Sequence, residues 1–479
     1  MERLSHLEPK AVFHFFEALC AIPHGSGNTK QISDWCVSFA RERGLEYHQD
    51  GQNNLILIKE GTPGYEGAEP VILQGHMDMV CEKEPGCPKD LEREGLDLET
   101  EGDYISARGT TLGGDDGIAV AMALALLDSD RIPHPRLEVV LTVDEEVGME
   151  GAAALDVSPL RGRTMINLDS EAEGVFTVSC AGGCRTECTL PVVREPFSGE
   201  PLSIQLGGLT GGHSGTEIHW GRGNAILLLG RCLRAISART ELRLAWAEGG
   251  GKDNAIPTGA SAQVLVRDRT AALDAVQQLA EVLREEYRGT DPGLFLKAEP
   301  GTWTGAPLDK ASTRRAMCAL TCPPNGVQVM GGTIPGLVQT SLNLGILTTE
   351  ADCLRTCFCV RSSVNSQKEE LKDRLTCLAE QLGGTVEHAG DYPAWEYRAQ
   401  SPLRERMSQI FQEQYGHPPK IEAIHAGVEC GLLAGKLPGL DCVSIGPELL
   451  EIHTPRERMS ISSVQRVWAF LLEVLRRSQ

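Results

Sequence analysis

Apolar and polar positions change rhythm twice along the chain. In the first part, EPKAVFHFFEALCAI (8–22) and TKQISDWCVSFARERG (29–44) place apolar residues three and four apart. That spacing predicts two amphipathic helices, the second stopped at Gly44. NNLILIKE (53–60), EPVILQGHMD (69–78), RLEVVLTVDEE (136–146) and RTMINLDSE (163–171) are short apolar runs that predict strands. DDGIAVAMALALLDSD (115–130) is apolar on every side, as a buried helix would be. Helix and strand alternate, and the strands read as continuously apolar. This pattern predicts an α/β fold with a mostly parallel sheet and helices on both faces.

From about residue 187 the rhythm becomes strand, helix, strand, strand, helix: 202–215, 221–237, 241–250, 260–268 and 270–289. A second set follows, with strands in 338–363 and a helix over 366–384, which suggests a duplicated α+β unit. After about residue 396 the α/β rhythm returns: helix 401–416, strands 419–427 and 440–448, helix 462–478. The expected organisation is a catalytic domain in two parts, 1–186 and 396–479, interrupted by an inserted α+β domain over 187–395.

The chain has 479 residues, 41% hydrophobic and 23% charged, with a net charge of −21. Two or three cores fit in that length. The acidity argues against nucleic acid or an anionic membrane as partner, since both demand a basic face. No run of eighteen apolar residues predicts a membrane helix, and the first residues do not read as a secretory signal. The 16 Cys are scattered and read as reduced thiols of a cytoplasmic protein. Cys180, Cys184 and Cys188 fall in strand and turn, without a paired motif for structural zinc.

Chemistry gathers where the first-domain strands end. His76 and Asp78 close one strand, Glu145 and Glu146 a second, and Asp169 a third. Asp115 and Asp116 precede the apolar helix, and His453 follows the last strand. In parallel sheets, ligands bind at the carboxyl ends of strands. Singly, each residue reads as a helix cap or a solvated side chain. Together, so many carboxylates in one crevice demand a compensating cation, and a divalent pair supplies it. Oxygen and imidazole donors without thiolate suit zinc, manganese or cobalt. Two such ions share one bridging carboxylate, and a water held between them becomes a nucleophile near neutral pH. A carboxylate outside the ligand set must then take its proton. Of Glu145 and Glu146, one fits the base and one a ligand. Asp78 lies on the same side of the extended segment as His76 and fits a carboxylate that orients the imidazole.

HMD (76–78), GGDDG (113–117), DEEVG (144–148), NLDSE (167–171) and IHTP (452–455) together resemble the co-catalytic zinc exopeptidases. The closest resemblance is to the cytosolic aminoacyl-histidine dipeptidases, also called Xaa-His dipeptidases or bacterial carnosinases, and it runs over essentially the whole chain. It implies His76 and Asp169 as ligands of a first metal and Asp115 as the bridge. It implies Glu146 and His453 as ligands of the second, Glu145 as general base and Asp78 as the orienter of His76. Asp116 departs from the pattern, standing where relatives often carry Asn. In the inserted domain, His213 of GGHSGTEIH resembles a lid histidine that polarises the substrate carbonyl. In dimeric relatives that histidine comes from the neighbouring subunit, which implies a homodimer through the lid domain. Arg361 of CVRSS resembles an arginine that binds the substrate's terminal carboxylate. Asn254 and Glu429 are further substrate-binding candidates, Glu429 as counter-charge to an amino group; His219 and His425 read as structural. The implied activity is cleavage of unblocked dipeptides, preferentially Xaa-His such as β-alanyl-histidine, by a metal-bridging hydroxide. An aminoacylase, a tripeptidase or a broad dipeptidase on the same scaffold is the alternative.

Overall fold

The computed structural model describes residues 3–479. The chain forms two compact units. One comprises the residues up to Ser179 together with Tyr397–Ala423 and Val428–Gln479; the other comprises Cys180–Glu396 and Ile424–Gly427. The transition expected at 187 falls inside the strand Gly182–Pro191, which belongs wholly to the second unit. Among the described residues, no helix is long and apolar enough to cross a membrane.

The first unit is built on an eight-stranded sheet. Its spatial order is Glu46–Gln49, Leu55–Lys59, Leu137–Thr142, Val71–His76, Thr164–Asn167, Asp441–Ser444, Val175–Cys180 and Lys420–Ile424. The four central strands, Leu137–Thr142 to Asp441–Ser444, run parallel. Leu55–Lys59 and Glu46–Gln49 add antiparallel on one side, and Val175–Cys180 pairs antiparallel on the other. The parallel strands are buried along their whole length, which is why they read as unbroken apolar runs.

The helix Gly114–Asp128 is buried from Gly117 to Leu127, consistent with its lack of a polar face. It lies close against the strand Val71–His76 because position 75 is glycine. A Cβ there would stand 2.6 Å from Asp116 Oδ2 and 2.7 Å from the Ala119 methyl. The peptide between Asp115 and Asp116 is cis. A small four-stranded sheet, Leu449–Leu450, Arg458–Ser460, Tyr104–Ala107 and Leu98–Glu101, completes the unit. His453 sits in the loop between the first two of these strands.

The second unit holds two βαββαβ repeats side by side in one nine-stranded sheet, whose ninth strand, Gly326–Met330, pairs antiparallel with Val338–Thr349. The first repeat has strands Glu200–Gly207, Leu242–Gly249, Ala260–Val266 and Phe295–Pro300, with helices Ala225–Ser237 and Arg269–Glu286. The other has strands Gly182–Pro191, Val338–Thr349, Cys353–Ser362 and Thr385–Tyr392, with helices Lys310–Thr321 and Asn365–Gln381. Within each repeat the strands lie in the order fourth, first, third, second. The first repeat is thus inserted between the opening strand and the first helix of the other. The four helices share one core with the strands, which includes Leu202, Leu229, Leu283, Leu320, Phe358 and Leu375.

The two repeats meet between Leu242–Gly249 and Val338–Thr349, whose ladder contains the single pair Gly249 and Leu347. Side chains hold what the ladder leaves open. Thr349 Oγ1 donates to the Ala247 carbonyl at 2.7 Å and accepts from the Ala247 N–H at 2.9 Å. Asn224, buried, caps the helix Ala225–Ser237 by accepting from the N–H groups of Ile226 and Leu227. Its Nδ2 donates across the seam to Asn343 Oδ1 at 3.2 Å and to the Leu344 carbonyl at 2.9 Å. Asn224→Ala removes the cap and leaves two acceptors of the other repeat without their donor. We expect a loss of about 1–3 kcal/mol, read as a lower urea midpoint for the full chain.

Candidate metal centre

Three neighbouring parallel strands end in chemistry. Val71–His76, with Leu137–Thr142 on one side and Thr164–Asn167 on the other, delivers His76, Glu145, Glu146 and Asp169 to one edge of the sheet. The start of the helix Gly114–Asp128 adds Asp115, and the loop after Leu449–Leu450 adds His453.

Asp115 faces both imidazoles. Its Oδ1 lies 3.2 Å from His76 Nε2 and its Oδ2 lies 3.1 Å from His453 Nε2. His76 Nε2 is also 3.6 Å from Asp169 Oδ1, and His453 Nε2 is 2.9 Å from Glu146 Oε1. Donor atoms gather within 4.8 Å of one another in three overlapping groups: His76, Asp116 and Asp169; His76, Glu145 and Glu146; Asp115, Glu146 and His453. The five residues expected as ligands are therefore together, split between two histidines, with Asp115 in the middle.

His76 is oriented from behind. Its Nδ1–H donates to the Asp78 carbonyl at 2.9 Å, and Asp78 Oδ1 is 3.4 Å away. The Nδ1 proton is thereby fixed, and Nε2, which donates to the carboxylates while no cation is bound, is aimed at Asp115 and Asp169. Asp78 does more than orient an imidazole. Its carboxylate accepts from the N–H groups of Glu145 at 3.1 Å and Glu146 at 3.4 Å, and from Ser26 Oγ at 2.8 Å. Although burial works against it, these partners and His76 hold the Asp78 carboxyl below the usual range.

Glu145 and Asp169 are pushed the opposite way. Burial, followed by the charges of Asp169, Glu429 and Glu146, raises Glu145 to about 9. Burial and the neighbouring acids raise Asp169 to about 6. His453 rises to about 10 through its bonds to Asp115 and Glu146. Carboxylates at such density hold protons unless a cation takes their place, and the donor set fits two divalent ions. Asp116 is buried, and its Oδ2 accepts the main-chain N–H of His76 at 3.2 Å.

Two residues of this centre escaped the sequence reading. Ser26 lies in a Gly-rich loop and looks like an ordinary turn residue; its bond to Asp78 spans 52 positions. Glu171 closes the NLDSE motif. Burial and the charges of Asp115, Asp169 and Glu146 raise it to about 7. Its place in the motif was the available signal.

Glu429 departs from expectation. It opens the helix Glu429–Lys436 and is fully buried. Its Oε2 accepts from Gln74 Nε2 at 2.5 Å and Thr142 Oγ1 at 2.6 Å, and its Oε1 has no partner among the described residues. Enclosed against the strands that carry His76 and Glu145, it does not present a counter-charge to an incoming amino group. Burial raises it to about 7.

His213, Asn254 and Arg361 belong to the second unit. The His213 Nδ1 accepts the N–H of Thr216 at 3.1 Å and of Gly215 at 3.3 Å, so the neutral ring carries its proton on Nε2. Burial and then the Arg361 charge lower its pKa. Arg361 is buried; its Nη1 donates to the Tyr392 hydroxyl at 3.3 Å, while its Nε has no partner among the described residues. Gly215 lets these groups converge. A Cβ there would stand 2.4 Å from the His425 carbonyl, 3.0 Å from His213 Cε1 and 3.2 Å from Arg361 Nε. His425 bonds Ser341 Oγ through Nε2 at 2.7 Å. Asn254 is exposed and accepts the Ser214 N–H through its carbonyl at 2.9 Å, and His219 stands exposed beside Trp220.

The family model for peptidase family M20/M25/M40 matches residues 72–477. The chain is 37% identical over 480 residues to the cytosol non-specific dipeptidase of Escherichia coli K12, covering 99% of each. The aminoacylhistidine dipeptidase structure of Vibrio alginolyticus superposes with a TM-score of 0.93 at 35% identity, covering 99% of this chain and 98% of that one. Aminopeptidase PepT of Bacillus cereus shares the fold, with a TM-score of 0.57 at 17% identity over 98% and 99% of the two chains. The chain belongs to peptidase family M20/M25/M40. It is a hydrolase acting on peptide bonds.

Asp78→Asn keeps the side-chain shape but turns an amide donor toward N–H groups that need an acceptor. Weakening of zinc or manganese binding by roughly 10–100-fold is expected, measured by titrating the metal-free protein.

Proposed function

We propose that the chain is a two-metal dipeptidase that cleaves unblocked dipeptides, with preference for Xaa-His substrates such as β-alanyl-histidine. The observation that carries the metal reading is Asp115, whose two oxygens face His76 and His453 separately. His76 and Asp169 would hold one divalent cation, Glu146 and His453 the other, with Asp115 between them. Zinc fits this donor set best, with manganese or cobalt compatible. Such ions supply Lewis acidity toward the scissile carbonyl and lower the pKa of water.

The chain's own residues do the rest. Glu145 stands beside His76 and Glu146 and is the base: it takes a proton from the attacking water and passes it to the leaving amine. Asp78 fixes the His76 ring and the main chain of Glu145 and Glu146 together. His213 offers Nε2–H to the carbonyl oxygen as charge develops on it. Arg361, whose Nε is buried and unpaired, suits the terminal carboxylate of the peptide. Asn254 is a further contact. The names of the Escherichia and Vibrio relatives support a dipeptidase. The first also favours a second reading, a broad dipeptidase without histidine preference. A cytoplasmic location and a homodimer through the second unit belong to the same proposal; light scattering tests the dimer.

Hydrolysis of β-alanyl-histidine, other dipeptides, tripeptides and N-acyl amino acids separates these readings. The wild type, stripped with a chelator and reloaded with zinc, manganese or cobalt, is expected to recover activity and to prefer Xaa-His dipeptides. Equal rates on all dipeptides would give the broad reading, and activity confined to tripeptides or N-acyl amino acids would replace it. Glu145→Gln is expected to retain both cations yet lose about 10²–10⁴-fold in kcat. Arg361→Lys loses the forked contact, so kcat/KM is expected to fall roughly 10–100-fold for free dipeptides. The same variant should differ little from wild type on the corresponding C-terminal amides.

A further inference from the structure

Glu457 lies four residues beyond His453, in a stretch, PRERM, that reads as a solvated charged turn. It is instead 2% exposed. Its carboxylate accepts four consecutive main-chain N–H groups. Oε2 takes Leu112 at 2.8 Å and Gly113 at 3.1 Å; Oε1 takes Gly114 at 2.8 Å and Asp115 at 3.4 Å. These groups enter the helix Gly114–Asp128, whose first N–H groups have no partner within the helix. The residue at the helix start, Gly113, has no side chain to cap them.

The loop on the other side is equally constrained. The Glu457 N–H donates to the Thr454 carbonyl at 3.0 Å, and Thr454 Oγ1 donates to the Glu451 carbonyl at 2.7 Å. His453 itself has φ of 59°, a left-handed conformation that an L-residue adopts only when its surroundings hold it. The strand Arg458–Ser460 then anchors the loop by pairing with Tyr104–Ala107.

We propose that Glu457 is a positioning residue that ties the Asp115 segment to the loop carrying His453. It sets the approach of Asp115 Oδ2 to His453 Nε2 before a cation is bound. This inference rests on the two-cation reading of the site. It assigns Glu457 no contact with substrate or metal; it acts through the main chain of residues 112–115.

A helix cap alone would alter stability. A positioning role also predicts which cation is weakened. Metal-free wild type, Glu457→Gln, Glu457→Asp and His453→Ala are titrated with manganese, with stoichiometry checked by metal analysis and folding by circular dichroism. Wild type is expected to hold two cations. Glu457→Gln turns an amide toward the N–H groups and should keep one cation at wild-type affinity. The other should weaken by roughly 10–100-fold. It should be the cation that His453→Ala loses, so a variant carrying both Glu457→Gln and His453→Ala, titrated alongside, should show no further loss than His453→Ala alone. Glu457→Asp keeps the charge with a shorter reach and should fall between. If Glu457→Gln does not fold, Glu457→Asp decides alone. Two cations at wild-type affinity in the folded Glu457 variants would overturn the proposal, whatever their melting temperatures. Fewer than two cations on the wild type would overturn the two-cation reading itself, and this inference with it.

Discussion

The first unit is organised around one electrostatic constraint. Asp115, Asp116, Glu145, Glu146 and Asp169 crowd around two imidazoles at the edge of a buried sheet. Water cannot solvate that many carboxylates in such a space, and two histidines cannot neutralise them. The metal-free form answers by holding protons: Glu145, Asp169 and His453 all sit above their ordinary values. Divalent cations answer the same need without protons. Much of the surrounding structure keeps these charges close despite their repulsion.

That work is done by the main chain and by acids placed behind it. Parallel strands bring their carboxyl ends to one edge, so His76, Glu145 and Asp169 arrive from three neighbours without a long excursion of chain. Asp78 gathers the N–H groups of Glu145 and Glu146 and so holds this segment to the strand end that carries His76. Glu457 takes four N–H groups at the helix start. In both cases a buried carboxylate accepts backbone donors, which holds the segment it binds in place. Gly75 lets the helix that begins at Asp115 lie against the strand of His76, a closeness that any side chain at 75 would prevent.

The sequence made the strands and the acids and histidines that gather at their ends legible because both follow local rules. Fully apolar runs mark buried parallel strands, and the acids and histidines that end them stand out against that background. The small sheet that holds the His453 loop was missed. Its strands, such as Leu98–Glu101 and Tyr104–Ala107, are short and half polar and carry no clear period. Ser26 and Glu457 were illegible for a different reason. Their identities are ordinary for turns, and their roles come from partners 52 and more than 340 positions away. Glu429 shows the converse. Its sequence position suggested an open binding charge, but the helix Glu429–Lys436 carries it into the interior, against Gln74 and Thr142.

The second unit was legible as a repeated pattern but not as an interlocked one. Hydrophobic spacing reports elements in chain order, whereas the opening strand of one repeat precedes the whole of the other. An insertion of that kind leaves a weak seam, because the two repeats share one ladder pair, Gly249 with Leu347. Independent halves would slide or separate at such an edge. Here the chain crosses between the repeats twice, and Asn224, Asn343 and Thr349 bond across the gap where the ladder does not. Asn343 also donates to the carbonyls of Asp253 and Ala255, beside Asn254. The seam therefore reaches the loop that accepts the Ser214 N–H next to His213. The polar groups that join the repeats also brace the loops carrying His213 and Asn254, so the precision of these loops depends on how firmly the repeats are joined.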